Sequence, residues 1–170
     1  MQFGIAVFPS KEVQDIANSF RKRYDPHYSL IQPHLTIREK DEWTDEQLER
    51  AVALLEQAAQ TTAPFTIHFN RFSSFYPVAN VVYMALSDTK PMQRLYEAIC
   101  TGGLEEPKRT YLFNPHLTIG QAMNSDELHD VLASVKSKKL DLTSRIDRFH
   151  LLYQTDNGAW TAHQTFLLRG

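Results

Sequence analysis

The pentapeptide Pro-His-Leu-Thr-Ile occurs twice in this chain of 170 residues, at positions 33–37 and again at 115–119. An internal repeat constrains the fold strongly, because copies of one sequence unit tend to adopt copies of one structure. The order of apolar runs and helical patterns is also similar around both copies. The sequence therefore predicts a duplicated unit, with pseudo-repeats over about residues 1–78 and 79–170.

In each half, a strand and a helix are predicted before the pentapeptide, and a second helix and another strand after it. The elements of the first half are a strand over 3–8, helices over 12–24 and 44–59, and a strand over 65–72. Those of the second half are a strand over 81–86, helices over 91–100 and 125–136, and a strand over 144–153. A final hairpin turns at 156–158 and returns over 160–168.

This order of elements predicts an α+β protein with two mainly antiparallel sheets that face a central cleft, with the helices outside. The halves are expected to form one bilobal domain over residues 1–170, related by pseudo-two-fold symmetry. A chain of this length can bury a sizeable core without a disulfide or a structural metal ion. Cys100 is the single cysteine, which excludes an intrachain disulfide and a cysteine-based zinc site.

Charge and hydropathy restrict the class of protein further. The formal net charge is −2, which argues against a protein that coats nucleic acid by neutralising phosphates. Short basic clusters at 21–23 and 136–139 are interpreted as solvated helix faces. The N-terminus does not resemble a signal peptide, and no apolar stretch approaches the roughly 18 residues of a membrane span. We expect a cytoplasmic protein with no membrane partner, whose oligomeric state is left open with a monomer favoured.

The repeated strand places a histidine and a threonine on one face in each half. The pairs are His34 with Thr36 and His116 with Thr118, and side chains two residues apart in a strand share a face. The leucine and isoleucine of each copy then face the core, and the pseudo-two-fold axis sets the two polar pairs opposite one another. Arg38 shares the polar face if its strand stays regular, which makes it a candidate contact for a phosphate.

Two opposed histidines suit an in-line displacement at phosphorus. One imidazole takes a proton from the attacking water, and the other gives a proton to the departing oxygen. The pKa of histidine, near 6.5, keeps both protonation states available at neutral pH. The threonine hydroxyls can donate to the non-bridging phosphate oxygens, where negative charge grows in the transition state. This scheme requires no metal ion and no cofactor.

The two motifs, one in each half of a duplicated α+β chain, resemble the signature of the two-histidine (2H) phosphoesterases. That family includes LigT-like RNA end-processing proteins and cyclic phosphodiesterases, and residues 4–10 and 21–26 look like its bacterial YjcG-like branch. The resemblance implies a LigT-like bilobal fold and a metal-free cleft between the lobes. It also implies catalytic residues, with roles by analogy: His34 as proton donor, His116 as proton acceptor, and Thr36 and Thr118 beside them.

We therefore expect a metal-independent phosphoesterase that acts on a cyclic phosphodiester, either an RNA 2′,3′-cyclic phosphate or a cyclic nucleotide. One alternative is a module that binds phosphorylated RNA ends or nucleotides without turnover, and another is a protein–protein adaptor that has kept the fold. The identical motifs do not by themselves say which histidine is the acid. The aromatic candidates for stacking on a base are Tyr24, Phe75, Tyr76, Tyr111 and Phe113.

Overall fold

The computed structural model describes residues 1–106 and 112–170, and within them the chain forms eight strands and four helices. In chain order these are β1 (Gln2–Val7), α1 (Lys11–Tyr24), β2 (Leu35–Glu42), α2 (Asp45–Thr61), β3 (Phe65–Ser74), β4 (Val82–Leu86), α3 (Lys90–Ile99), β5 (Leu117–Gly120), α4 (Ser125–Lys136), β6 (Leu142–Ile146), β7 (Arg148–Gln154) and β8 (Trp160–Leu167). The predicted α+β class with two antiparallel sheets is confirmed.

Each sheet takes strands from both halves of the sequence. The first sheet has the order β2-β1-β7-β8, and the second has the order β5-β4-β3-β6. In both sheets the strand that carries the repeated pentapeptide lies at the edge, beside the first strand of its own half. The other strands cross between the halves in part: β3 of the first half joins the second sheet, β7 and β8 of the second half join the first, and β6 stays in the sheet of its own half. That the whole chain is one domain, with repeats at about 1–78 and 79–170, stays a prediction.

The predicted strand over 144–153 is wrong as a single element, because it is two strands in different sheets. The break falls at Asp147, whose backbone carbonyl accepts a hydrogen bond from the N–H of Leu168 at 2.9 Å. On one side β6 pairs with β3, and on the other β7 pairs with β1 and β8. Apolar alternation continues on both sides of the break, so the sequence pattern does not reveal the change of sheet.

Helices pack on the sheets and close a continuous apolar core. Helix α1 packs against β5, α4 against β3 and β4, α2 against β8, and α3 against β2 and β3. Apolar side chains at helical spacing form the buried face of each helix. Helix α2 begins with a capping box, in which Thr44 Oγ1 accepts from Gln47 N at 3.2 Å and Gln47 Oε1 accepts from Thr44 N at 2.9 Å. No helix in the described part of the chain is long and apolar enough to cross a bilayer.

Strand β2 carries a bulge immediately after the motif. Thr36 pairs with Ala6, but Arg38 pairs with Ile5, so Ile37 is one extra residue on β2. A bulge interrupts the alternation of side chains between the two faces of a strand. The regular strand that would place Arg38 on the face of Thr36 is therefore not observed, and Ile37 and Arg38 are both buried.

Strand β5 carries the same bulge at the same place. Thr118 pairs with Tyr83 and Gly120 pairs with Val82, so Ile119 is the extra residue. The structural repeat thus includes the irregularity as well as the pentapeptide. The shared bulge also shows which residues correspond in the two halves. Ala6, which pairs with Thr36, corresponds to Tyr83, which pairs with Thr118.

Gly120 allows the end of α1 to approach β5 closely. A Cβ at this position would lie 2.8 Å from Met123 Cε and 3.1 Å from Tyr24 Cβ. The N–H of the next residue, Gln121, donates to Tyr24 O at 3.1 Å and fastens the two elements together. The counterpart of Gly120 in the first half is Arg38.

We expect Gly120→Ala to lower the free energy of unfolding by about 1–2 kcal/mol, the cost of a small overpacking. The end of the Met123 side chain can move aside, but Tyr24 is held by its helix. Denaturant unfolding would measure the loss, with Gly4→Ala as the matched control, since its added Cβ has 3.5 Å to the nearest atom. An equal loss in both variants would contradict the close approach as the cause.

Candidate active site

A cavity of about 470 Å³ is lined by residues from both sheets. Strand β1, the edge strands β2 and β5, the β7–β8 hairpin and the segment after α1 contribute to its wall. All four motif residues line it, namely His34, Thr36, His116 and Thr118. The structure thus brings together two pairs that are far apart in the sequence.

Each motif histidine is oriented by a backbone carbonyl two residues before it. Nδ1 of His34 lies 2.8 Å from Gln32 O, and Nδ1 of His116 lies 2.7 Å from Asn114 O. A carbonyl oxygen can only accept, so Nδ1 carries the proton and donates it to this bond. The proline between the two residues holds the preceding residue extended, which fixes the direction of the carbonyl. Nε2 is then the nitrogen that can exchange a proton with a ligand.

Burial lowers the pKa of both imidazoles. Desolvation lowers the pKa of His34 from 6.5 to about 4, the hydrogen bond to Gln32 opposes this shift, and the positive charge of Arg21 adds to it. Desolvation also lowers the pKa of His116, again against the effect of its hydrogen bond to a carbonyl. Both rings are therefore neutral at pH 7 in the unliganded protein.

We expect acidification to destabilise the protein through His34. The unfolded chain binds a proton near pH 6.5 that folded His34 binds only near pH 4. The free energy of unfolding therefore falls as pH falls between these values, by on the order of 2–3 kcal/mol. Stability measured from pH 7 to 4 should decline less steeply in His34→Asn than in the wild type. The exposed His163→Asn serves as the control, and a His34→Asn curve parallel to the wild type would contradict the expectation.

A buried ion pair forms part of the cavity wall. Arg21 is 2% exposed, and its Nε donates to Asp25 Oδ2 at 3.3 Å while its Nη2 donates to Ile31 O at 2.7 Å. Ile31 immediately precedes Gln32, whose carbonyl orients His34. Arg21 therefore holds in place the segment that positions the first motif histidine.

The interpretation of 21–23 as a solvated helix face is wrong for Arg21, whereas Lys22 and Arg23 are exposed. A signal for this burial was present in the sequence. Arg21 lies four residues after Ala17 and eight after Val13, and these three side chains form the buried face of α1. Helical spacing thus places an arginine on the buried face of the helix. A buried arginine needs a partner of opposite charge or a hydrogen-bond acceptor.

Gln121 connects the second motif to the same ion pair. Its Nε2 donates to Asp25 Oδ1 at 2.9 Å, and the N–H of His27 donates to that oxygen at 2.9 Å. Gln121 directly follows β5, whereas Asp25 directly follows α1. One buried carboxylate therefore joins the segment before the first motif to the end of the second. The sequence pattern assigned no role to Gln121.

Arg38 lines the cavity, but much of its guanidinium is engaged by the loop after α3. Its Nε donates to Leu104 O at 3.0 Å, and its Nη2 donates to Glu105 O at 3.1 Å and to Asp41 Oδ2 at 3.3 Å. The guanidinium carbon also lies 5.3 Å from the centre of the Trp43 ring. The bulge in β2 turns the arginine toward these partners. Contact between Arg38 and a substrate stays a prediction.

Charged side chains around the cavity are mixed in sign. The cations are Arg21, Arg38 and Lys40, and the carboxylates are Asp25 and Glu39. Arg21 is paired with Asp25 and Arg38 with Asp41, so the charges of this wall nearly balance. Within residues 1–106 and 112–170, no group of three or more His, Cys, Asp or Glu side chains is placed to hold a metal ion.

Known proteins resemble this chain in sequence. A family model described as "2'-5' RNA ligase superfamily" matches residues 8–158. A Bacillus licheniformis protein named "Putative phosphoesterase" is 46% identical over 168 residues, which are 99% of this chain and 99% of that protein. A Bacillus cereus protein with the same name is 49% identical over 168 residues, covering 99% of this chain and 97% of that protein.

Solved structures resemble it in fold. The protein TT0787 of Thermus thermophilus has a TM-score of 0.71 at 21% identity, with 100% of this chain and 99% of that chain covered. E. coli LigT complexed with 3'-AMP has a TM-score of 0.71 at 14% identity, with 99% and 98% covered. At these identities the likeness shows the shared fold.

Proposed function

The chain belongs to the 2′-5′ RNA ligase superfamily and is a phosphoesterase of the two-histidine class, and we propose that it hydrolyses a cyclic phosphodiester without a metal ion. The observation that carries the proposal is the pair of histidines that line one cavity, His34 and His116. Each has its Nδ1 committed to a backbone carbonyl. Only Nε2 of each ring is then available for proton transfer to or from a ligand.

In the proposed reaction His116 Nε2 takes a proton from a water molecule as that water attacks phosphorus. The bond from phosphorus to one ring oxygen breaks, and protonated His34 gives its proton to the departing oxygen. The product is a phosphomonoester with a free hydroxyl. Thr36 and Thr118 donate to the non-bridging oxygens, where negative charge grows in the transition state. Proton exchange with solvent then restores both rings.

The lowered pKa of His34 has a consequence for this scheme. A proton donor must be protonated when chemistry begins, whereas desolvation keeps His34 neutral at pH 7 in the unliganded protein. An anionic phosphate next to the ring raises the pKa of its imidazole. Substrate binding is therefore coupled to uptake of a proton.

The proposed substrate is an RNA 2′,3′-cyclic phosphate or a cyclic nucleotide. Support comes from E. coli LigT, a structural neighbour whose structure is complexed with 3'-AMP. Ring opening of adenosine 2′,3′-cyclic phosphate at the 2′ oxygen yields that compound. The volume of about 470 Å³ lies in the range of small-molecule sites.

The test is hydrolysis of nucleoside and oligonucleotide 2′,3′-cyclic phosphates, and of 3′,5′-cyclic nucleotides, with a chelator present and at several pH values. We expect turnover that the chelator does not change, a bell-shaped pH profile, and one phosphomonoester product identifiable by ³¹P NMR. Loss of turnover with the chelator would overturn the metal-free mechanism. Tight nucleotide binding without turnover of any cyclic phosphate would assign the alternative function, a module that binds phosphorylated RNA ends or nucleotides.

A further inference from the structure

The two motifs are identical, but the sheet surfaces beside them are not. In the first sheet Ala6 pairs with the motif threonine, and Gly4 lies two residues before it. In the second sheet Tyr83 pairs with the motif threonine, and Val81, which directly precedes β4, lies two residues before it. A glycine and an alanine therefore stand in the first half where the second half has a valine and a tyrosine. The pseudo-two-fold symmetry of the backbone is broken by side-chain volume at the cleft.

Beside His116, aromatic rings of the protein occupy the surface of the second sheet. The Tyr83 ring centre lies 5.3 Å from that of His116, and the Phe75 ring lies 4.7 Å from His116 and 4.4 Å from Tyr83. Beside His34 the corresponding packing is looser. The Phe8 ring centre lies 6.3 Å from His34 and packs more closely on another histidine of the first sheet, at 5.1 Å.

The indole of Trp160 lies over Gly4, and the cavity continues beside it over Ala6. Gly4, Ala6 and Trp160 all line the cavity. The Trp160 ring lies close to β1, since a Cβ on Gly4 would be 3.5 Å from Cζ3 and 3.7 Å from Cη2 of the indole. The backbone N–H of Trp160 donates to Leu30 O at 2.8 Å, which fixes the start of β8 against the segment after α1. The half-buried Trp160 ring, whose backbone is fixed by this hydrogen bond, thus borders the cavity near the first motif.

We propose that the base of a single nucleotide lies over Ala6 against the indole of Trp160, with its phosphate between the two histidines. The inference rests on the proposed function and specifies how its substrate is held. Stacking tolerates any base, because every base has a π-face. The site therefore selects nucleoside phosphates over cyclic phosphates that lack a base. It also orients the substrate, since the ribose and its departing oxygen face His34 and the attacking water faces His116.

Other aromatic residues considered for stacking lie outside this subsite. Among the described candidates, Tyr24, Phe75, Tyr76 and Phe113 are not part of the cavity lining, and Tyr111 lies outside the described residues. Phe113 stacks on Tyr96 with ring centres 4.2 Å apart, and Tyr76 packs edge-on against His129 at 4.7 Å. These contacts make Tyr76, which is 45% exposed, a matched aromatic control outside the cavity.

The decisive experiment compares binding of 3'-AMP and of inorganic phosphate by isothermal titration calorimetry. In Trp160→Ala we expect the Kd for 3'-AMP to rise about five- to hundredfold, the usual effect of removing one stacking partner. The Kd for phosphate should stay within about twofold, because phosphate does not reach the indole. Trp160→Phe should retain most of the affinity for 3'-AMP, and Tyr76→Ala should bind both ligands as the wild type does.

A second variant tests the position of the indole independently. Gly4→Val adds methyl groups against the indole and displaces its ring, so it should weaken binding of 3'-AMP and leave phosphate binding unchanged. Circular dichroism and thermal melting would verify that each variant is folded. Equal weakening of both ligands in the folded variants, or no weakening of 3'-AMP in either, would overturn the subsite.

Steady-state kinetics separates this inference from the proposed function. Wild-type turnover with equal KM for a nucleoside cyclic phosphate and a base-free cyclic phosphate would overturn the base subsite and leave the hydrolase standing. Binding of 3'-AMP that depends on Trp160, without turnover of any cyclic phosphate, would support the subsite and overturn the hydrolase. A wild-type protein that binds neither 3'-AMP nor phosphate would overturn both.

Discussion

Replacement of His34 or His116 by asparagine is expected to lower kcat for cyclic phosphate hydrolysis by about 10²- to 10⁴-fold, the usual contribution of one general acid or base. Asparagine suits the test because its amide N–H lies near the position of Nδ1. It can keep the hydrogen bond to the carbonyl of Gln32 or Asn114, whereas the group at Nε2 is lost. The folded state should therefore survive while proton transfer fails.

The pH profiles of the two variants distinguish the acid from the base. Loss of the base removes the acidic limb of the profile, and loss of the acid removes the alkaline limb. With His34 as donor, His34→Asn should lose the alkaline limb and His116→Asn the acidic one. The double variant should be little slower than either single variant, because both histidines act in one step. Turnover unchanged in either folded variant would exclude the two-histidine mechanism, and exchanged limbs would reverse the roles.

Breaking the buried ion pair is expected to have the largest effect on stability. Arg21→Met leaves the carboxylate of Asp25 buried without its cationic partner, and this typically costs about 3–5 kcal/mol. The variant also loses the hydrogen bond from Nη2 to Ile31 O, so the segment that orients His34 loosens. We expect a large fall in the free energy of unfolding together with a fall in kcat, measured by denaturant titration and by cyclic phosphate hydrolysis.

Arg21 and Asp25 also act on His34 through their charges. The pKa of His34 measures this effect, which a purely structural role of the ion pair would not produce. The charge of Arg21 lowers this pKa, whereas the charge of Asp25 raises it. In NMR titrations, Arg21→Met should raise the pKa of His34 and Asp25→Asn should lower it further. Asp25→Asn keeps an oxygen that can accept from Gln121 and His27, so it remains folded more readily than Arg21→Met. Shifts of the same sign in both variants would contradict the electrostatic link.

Local pattern determined most of the secondary structure. Helical spacing predicted the four helices, and the alternation of the pentapeptide predicted that each histidine shares a face with its threonine. These features depend on neighbours within a few residues, which the sequence displays directly. Duplication of the motif then predicted that His34 and His116 meet, and the structure places both in one cavity. Their roles as donor and acceptor stay predictions.

Features that depend on pairing between distant segments could not be predicted in the same way. The break at Asp147, the exchange of β3 and β7 between sheets, and the bulge that turns Arg38 toward Leu104 follow from which strands lie side by side. The burial of Arg21 depends on a partner segment that covers it, although its helical position signalled the buried face.

The sequence by itself thus determined most of the elements, the repeat and the four motif residues, since each is encoded in spacing along the chain. The tertiary structure alone decided how the two identical motifs differ. Ala6 and Tyr83 become comparable only when each is paired with its motif threonine, and Trp160 borders Gly4 only after β8 joins the first sheet. The volume of a cleft is a property of packed side chains, and packing brings together residues that no local periodicity connects.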